Sequence, residues 1–428
     1  MGTGIIHRAS DGIGVIELPP LAGGVLAAGD VAALGQALDA CAALPGVILD
    51  LHGNAHGPVD PAGLVPPEGL AALAARIASA APPVVAVLAG PVTGPLASLA
   101  LAAQGRVMAD GAALAWPEAE MALLPPAGAV VRLTHLAGAA ALEIAGSGRR
   151  IPAREALALG LVDALVPDRE AAHARARTLV QAPPRRLRGD VSADFAAVQA
   201  ARRALAQGPG VAAAPARLLD AVEAALLLPD PQALAFAAEA EADARADPVG
   251  RALRYLMQAE RRLGPPVVTA ATDGAPTLTQ AGMEAAGALR AAWVLAARAL
   301  VREGTAPGTI DAAARHWGHA EGPLGTAPPP RAGPEIATRL VAALLAEAAR
   351  LVAGGALDSP AQADALAVMA TGFPRWRGGP VLASIALGQG VLARQMEGWA
   401  QGDPVWEMPD IARHAILVAG RWGDAGAV

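Results

Sequence analysis

Lysine is absent from this 428-residue chain, so arginine supplies every fixed positive charge. That excludes a lysine Schiff base and a lysine-type phosphate loop. The single cysteine, Cys41, excludes an internal disulfide. It lies in the apolar stretch "DVAALGQALDACAAL", which predicts a buried structural thiol. Aromatic residues make up only 3% of the chain, so its cores have to be packed with Ala, Leu and Val. A transmembrane helix needs about 20 unbroken apolar residues. The longest uncharged run, between Arg76 and Arg106, is interrupted by Pro82, Pro83, Pro91 and Pro95. No membrane span is therefore expected. Net charge is −6 with no block of like charge long enough to read as a nucleic-acid arm. GxGxxG after a strand, HExxH, CxxC and GxSxG are all missing, so no dinucleotide fingerprint, zinc-protease motif or serine elbow is present. The opening "MGTGIIHRASDGIGVIEL" lacks the apolar core of a signal peptide, and a cytoplasmic location is the expectation.

Hydrophobic content is nonetheless 54%, with mean hydropathy +0.39, and alanine carries much of it. The first half alternates. "IGVIEL" (13–18), "GVILDL" (46–51), "VVAVLA" (84–89) and "GRVMAD" (105–110) read as strands. Residues 29–44, 67–80 and 95–104 between them read as helices. This order predicts an α/β layer structure with a largely parallel sheet. From about 135 the pattern is helical, with Pro/Gly-rich linkers at 182–190, 264–276 and 322–334.

The last third contains a weak repeat. "ARALVREG" (297–304) leads to Asp311 and "WGHAEGP" (317–323); "ARLVAGG" (349–355) leads to Asp364 and "TGFPRWRGGP" (371–380). Two helical half-units packed face to face would bury both apolar faces, although alanine-rich helices also look alike by composition alone. His316 and His319 read as solvated residues at a helix end.

Three loops are candidates for chemistry. "HGPVD" (56–60) and "GPVTGPLASLALAAQGR" (90–106) each follow a strand, where α/β folds place ligands. The second could aim helix N–H groups at a developing anion, but Pro95 has no N–H. The third, "WPEAEMALLPPAG" (116–128), carries Glu118. In apolar surroundings a carboxyl there would be an acid or base with a raised pKa; exposed, it would only favour a helix start. His52, His56 and Asp60 have a loose metal-like spacing in a Gly/Pro loop, with nothing else to support a metal. Ser98 has no neighbouring base in sequence and reads as a small buried helix residue.

These pieces, in this order, resemble the enoyl-CoA hydratase/isomerase (crotonase) superfamily over about residues 10–166. The most specific stretches are "PPVVAVLAGPVTGPLASLALAAQGRVMADGAALAWPEAEMALLPPAG" and "LEIAGSGRRIPAREALALGLVDALV". "ADPVGRALRYLMQAERR" (246–262) resembles the segment after the hydratase part of multifunctional fatty-acid β-oxidation enzymes. Residues 284–428, with "TGFPRWRGGP", resemble the helical C-terminal domain of 3-hydroxyacyl-CoA dehydrogenases. The resemblance implies a crotonase-like (β-β-α superhelix) α/β domain followed by an all-α domain. Its expected divisions are a core over 1–190, a helical extension and linker helix over 191–265, and a duplicated helical domain over 266–428 with halves at about 284–325 and 334–428.

It also implies what has been lost. The NAD-binding domain of such fusions is reduced to a linker at 264–283, and the Asn-Arg pair of the dehydrogenase part stands here as Leu289-Arg290. No NAD and no other cofactor is expected, and no hydride transfer. In the hydratase part the two oxyanion-hole donors match Gly57 and Pro95, so one donor is gone. The first catalytic glutamate matches Ser98, and only the second survives, as Glu118. Losing an oxyanion donor costs on the order of 10²–10³ in rate, and losing an acid/base a further ~10²–10⁴. The expectation is a crotonase-fold acyl-CoA-pathway protein with little or no catalysis. It would act as a binding or scaffold subunit beside a thiolase or another β-oxidation enzyme, with a CoA thioester as ligand. Two alternatives stay open: an enoyl-CoA isomerase or hydratase using Glu118 as sole acid/base, and a structural remnant without CoA binding. A monomer, a dimer or a hetero-complex is expected rather than the trimer usual in the family.

Overall fold

Short β-branched runs build the first half of the molecule. The computed structural model describes residues 5–10, 12–19, 21, 26–51, 67–183, 192–207, 212–264, 267–270, 276–326 and 333–423. They divide into two units, Met1–Gly250 and Arg251–Val428.

The first unit opens with β1 (Ile6–Ser10) and β2 (Ile13–Glu17), followed by α1 (Ala28–Ala40), β3 (Val47–Asp50), α2 (Pro67–Ala78) and β4 (Val84–Leu88). Next come β5 (Pro91–Thr93), α3 (Gly94–Ala102), β6 (Gly105–Ala109), β7 (Ala113–Ala115) and a 3₁₀ turn over Pro117–Met121. The chain continues through α4 (Ala129–Ala137), α5 (Ala140–Ser147), β8 (Ile151–Pro152), α6 (Ala153–Ala158), β9 (Ala164–Val166) and α7 (Arg169–Gln181). Three helices follow: α8 (Ser192–Ala206), α9 (Ala214–Leu227) and α10 (Asp230–Ala246). The main sheet has the order β1-β2-β3-β4-β6-β9 and is parallel from β2 onward. β5, β7 and β8 form a second, small sheet. The expected strands and the βαβα order are thus present. β3, β4 and β6 are buried along their whole length, the condition of parallel strands covered on both faces.

One face of the sheet packs on α7. Val85, Val87 and Val107 meet Ala172, Ala176 and Val180. Gly46, before β3, makes room for this helix: a Cβ there would lie 1.7 Å from Val180 Cγ1. Cys41 is buried behind α1, as expected, and burial pushes its thiol up. Arg106 is buried in β6, where its guanidinium donates to the carbonyls of Leu101, Ala103 and Leu161. It ties the end of α3 to the segment before β9.

At the carboxyl ends of β2 and β3 the chain builds an ionic hub. Arg169 donates to Asp50 at 2.6 Å and to Glu17 at 2.5 Å, and His173 Nε2 lies 2.5 Å from Asp50. Burial alone would raise the Asp50 carboxyl, but His173 and Arg169 hold it below its ordinary value. The hub fixes the start of α7 to the two strand ends. Sequence spacing gave no sign of it, because Asp50 and Arg169 are 119 residues apart.

α11 (Pro248–Arg261) runs across the boundary between the units. The second unit continues with the hairpin β10 (Val268–Ala270) and β11 (Pro276–Leu278), then α12 (Gln280–Arg302), α13 (Pro307–Trp317), α14 (Pro334–Ala353) and α15 (Pro360–Thr371). α16 (Pro380–Ala386), α17 (Gln389–Ala400) and α18 (Asp410–Ala419) complete it. The repeat seen in the sequence has a physical counterpart. Asp311 on α13 and Asp364 on α15 are both fully buried. Asp311 accepts from the N–H groups of Leu324 and Thr326 and from the Thr326 hydroxyl. Asp364 accepts from the N–H groups of Val381 and Leu382 and from the Tyr255 hydroxyl. Each aspartate thus holds the Gly-Pro loop that follows its helix. Gly322 and Gly379 allow it, since a Cβ at either would lie within 2.6 Å of the aspartate.

The reading of His319 as a solvated end residue is corrected. His319 is buried, stacks on Trp293 at 5.0 Å and meets Phe373 edge-on at 5.3 Å. Burial pushes its imidazole down to about 4, so it is neutral near pH 7. His316 is exposed. Among the described residues no helix is long and apolar enough to cross a membrane, and no group of His, Cys, Asp and Glu is arranged to hold a metal.

Candidate active site

The turn from β5 into α3 brings Pro95 and Ser98 into a buried setting. Gly94 opens the helix with φ of +54°, a value suited to glycine. Pro95 is the second residue of α3, where a helix does not need its N–H. The turn is sound as structure and offers no amide hydrogen at Pro95. Ser98 is fully buried. Its hydroxyl donates to the Gly94 carbonyl at 3.1 Å and accepts from the Trp116 indole at 3.2 Å. It is a structural link between α3 and the residue before the 3₁₀ turn, as a small buried helix residue should be.

Glu118 stands in that 3₁₀ turn, which ends at Ala122 in a left-handed conformation, φ +50°. The idea of an exposed acid at a helix start does not hold. Glu118 is 1% exposed, and among the described residues neither carboxyl oxygen has a hydrogen-bond partner beyond the weak pull of its own backbone N–H. Burial pushes its pKa up to about 8, and the charge of Glu241 adds to the push. At pH 7 it is a neutral carboxylic acid with a proton to give. Leu96 and Trp116 are also buried in this part of the unit. Gly57, His52, His56 and Asp60 lie outside the described residues.

Glu241, on α10, was not singled out in the sequence. It is partly buried, and its carboxyl accepts from the N–H of Gly128 at 3.3 Å and from that of Ala127. Burial pushes it up to about 7 against those two amides and against Arg245 and Arg132. It borders a cavity of about 720 Å³ between α2, the start of α4 and α10. A signal for it does exist: Ala233, Ala237, Ala240 and Ala244 form the buried stripe of α10, and position 241 adjoins that stripe. In "FAAEAEADARAD" it is one of several acids, so composition hides it.

Residues 50–207 match the family model described as enoyl-CoA hydratase/isomerase. The N-terminal α/β domain is crotonase-like, and a mostly helical C-terminal region follows it. Three solved structures illustrate the likeness. An enoyl-CoA hydratase from Mycobacterium avium subsp. paratuberculosis K-10 is 25% identical over 56% of this chain and 98% of its own, with a TM-score of 0.37. One from Bacillus anthracis is 21% identical over 55% and 88%, with a TM-score of 0.38. An enoyl-CoA hydratase/isomerase from Xanthobacter autotrophicus Py2 is 22% identical over 62% and 95%, with a TM-score of 0.41. The matched segment 50–207 contains Pro95, Ser98 and Glu118.

Proposed function

We propose that the crotonase-like domain is an acyl-CoA thioester site with weak turnover, in which Glu118 is the surviving acid/base at the substrate. The observation that carries this reading is the state of Glu118: buried, with no bond from another described residue, and neutral near pH 7. A buried carboxyl without a hydrogen bond is costly, and strongly shifted carboxyls cluster at functional sites. Pro95 and Ser98 support weak rather than efficient catalysis. Pro95 cannot donate to a developing enolate, and the Ser98 hydroxyl is committed to Gly94 and Trp116. The helical region, with its resemblance to the dehydrogenase C-terminal domain, fits a scaffold role beside a thiolase or another β-oxidation enzyme.

The same Glu118 favours double-bond migration as the residual chemistry. One carboxyl can take a proton from one carbon and return it to another, whereas water addition needs a second group. Calorimetry with acetyl-CoA and an assay of 3-hexenoyl-CoA isomerisation test the proposal together. Binding with slow isomerisation is expected, and Glu118→Gln should retain binding while lowering isomerisation ~10²–10⁴-fold. Absence of heat would make the domain a remnant without a CoA site. Rapid hydration of crotonyl-CoA, at the rate of an efficient hydratase, would refute the weak-turnover reading.

A further inference from the structure

The cavity beside α10 lies apart from the residues assigned above: Pro95, Ser98 and Glu118 are not in its walls. Its sides are small and apolar, with Ala71, Ala72 and Ala75 of α2 facing Leu234, Ala238 and Ala242 of α10. α10 borders it from Leu234 to Ala246, about 18 Å of helix. Alanine on both sides leaves about 720 Å³ open, the volume range of small-molecule sites.

The polar groups are gathered at the α4 wall. Gly128, with φ of +69°, lets the walls close there, since a Cβ would lie 2.5 Å from Leu234 Cδ2 and 3.2 Å from Arg132 Nη1. Arg132 is partly buried and lines the cavity. Among the described residues its one hydrogen bond runs from Nη1 to the Ala127 carbonyl at 2.5 Å. Among those residues Nε and Nη2 have no acceptor, and no carboxylate is in ion-pair contact with the guanidinium. A guanidinium is a planar fork of N–H donors, and most of this one is unused. Burial pulls it below its ordinary value, against the charges of Glu241 and Asp230. A charge among apolar walls is costly without a counter-ion in contact.

Glu241 stands on the same cavity, its carboxyl held by the N–H groups of Ala127 and Gly128. Burial brings it up to about 7, so its protonated form is well populated near neutral pH. The other charged groups around the pair are Arg245 and Asp230 on α10, Glu68 on α2 and Glu118 in the 3₁₀ turn.

We propose that this cavity binds a free carboxylic acid with an extended apolar body, its carboxylate on Arg132 and its chain between α2 and α10. The inference goes beyond the thioester reading and does not depend on it. An arginine fork matches the two oxygens of a carboxylate. Protonated Glu241 donates a further hydrogen bond to the same group. A cationic head would be repelled by Arg132 and Arg245. A neutral chain would leave the Arg132 fork unmet, and a phosphate monoester would bring a second negative charge against Glu68 and Glu241. Ionised Glu241 repels the ligand, so affinity is full below pH 7 and falls as pH rises through about 7.

The test is calorimetry of the full-length protein with dodecanoate, below its micellar concentration, at pH 6 and pH 8. Saturable binding is expected, about tenfold tighter at pH 6. Dodecanol and dodecyl phosphate should bind at least ~10-fold more weakly. Arg132→Met should lower dodecanoate affinity ~10–100-fold, and Glu241→Gln should remove the pH dependence while keeping binding. Ala238→Phe should fill the channel and abolish binding without touching either polar group. The proposal is overturned if dodecanoate does not bind, if dodecanol or dodecyl phosphate binds as tightly, or if affinity is equal at the two pH values. These wild-type comparisons decide it even where a variant fails to fold. Dodecanoyl-CoA should bind without displacing dodecanoate; competitive displacement would make the cavity part of the thioester site and overturn the proposal. Binding of acetyl-CoA tests the thioester reading separately, and either result there leaves the dodecanoate result unchanged.

Discussion

Glu118 and Asp364 are buried to the same extent and bonded in opposite ways. Both carboxyls are wholly inside the protein, and burial raises both, to about 8 and about 7. Asp364 accepts three hydrogen bonds, from Tyr255, Val381 and Leu382. Among the described residues Glu118 accepts none from any other residue. A carboxyl surrounded by donors is part of the frame, because removing it strands the donors. A carboxyl without such donors adds no hydrogen bond to the frame and is costly to bury. Desolvation alone does not separate the two cases; the list of partners does.

The sharpest break in this comparison is at Asp364. Asp364→Ala leaves two backbone N–H groups and a buried phenol without an acceptor, and each stranded donor costs about 1–3 kcal/mol. The second unit should lose about 3–5 kcal/mol, read as a lowered midpoint in denaturant. Asp311→Ala should cost a similar amount, since it strands the N–H groups of Leu324 and Thr326. A midpoint unchanged in either variant contradicts the equivalence of the two half-units.

Glu118 predicts the reverse sign. The unfolded chain releases this proton above its ordinary value of 4.5, while the folded protein holds it up to about 8. The folded state therefore binds more protons in between, and stability falls as pH rises through that window. Glu118→Gln removes this fall and should stabilise the first unit by roughly 3 kcal/mol at pH 7 and by little at pH 4. Asp364, raised from 3.8 to about 7, adds a fall of the same sign that the variant leaves in place. Denaturant midpoints of wild type and variant at pH 4.5 and 7.5 decide it. Equal differences at the two values would mean that Glu118 is solvated or paired.

The sheet and its order were legible because buried parallel strands are written as unbroken apolar runs, such as "VVAVL". The paired aspartates were legible too, because each lies in a helix that leads into a Gly-Pro loop, although the spacing differs between the halves. Glu118 could be located by its place after Pro117, but not its environment. Nothing adjacent shows that both oxygens lack a partner, since that depends on what folds over them. Glu241 and the Asp50–Arg169 hub were missed for the same reason. Their partners lie 113 and 119 residues away, beyond any local pattern. His319 misled in the opposite direction: it sits in a Gly-rich stretch just past a helix end, and its stacking partners, Trp293 and Phe373, come from other segments.

The mildest test of the comparison is Ser98, which lies in the same region as Glu118 but is bonded like Asp364. Its hydroxyl both donates and accepts, to Gly94 and from Trp116. Ser98→Ala removes one acceptor, so the Trp116 indole N–H is stranded while the Gly94 carbonyl keeps its place in the turn. The cost should be about 1 kcal/mol, close to a single net hydrogen bond. Isomerisation should stay within a few-fold of wild type, because a hydroxyl tied at both ends moves no proton to substrate. A 100-fold loss of turnover in this variant would place Ser98 in the chemistry and erase the distinction between bonded frame and unbonded site. Small changes in both stability and rate are what the distinction requires.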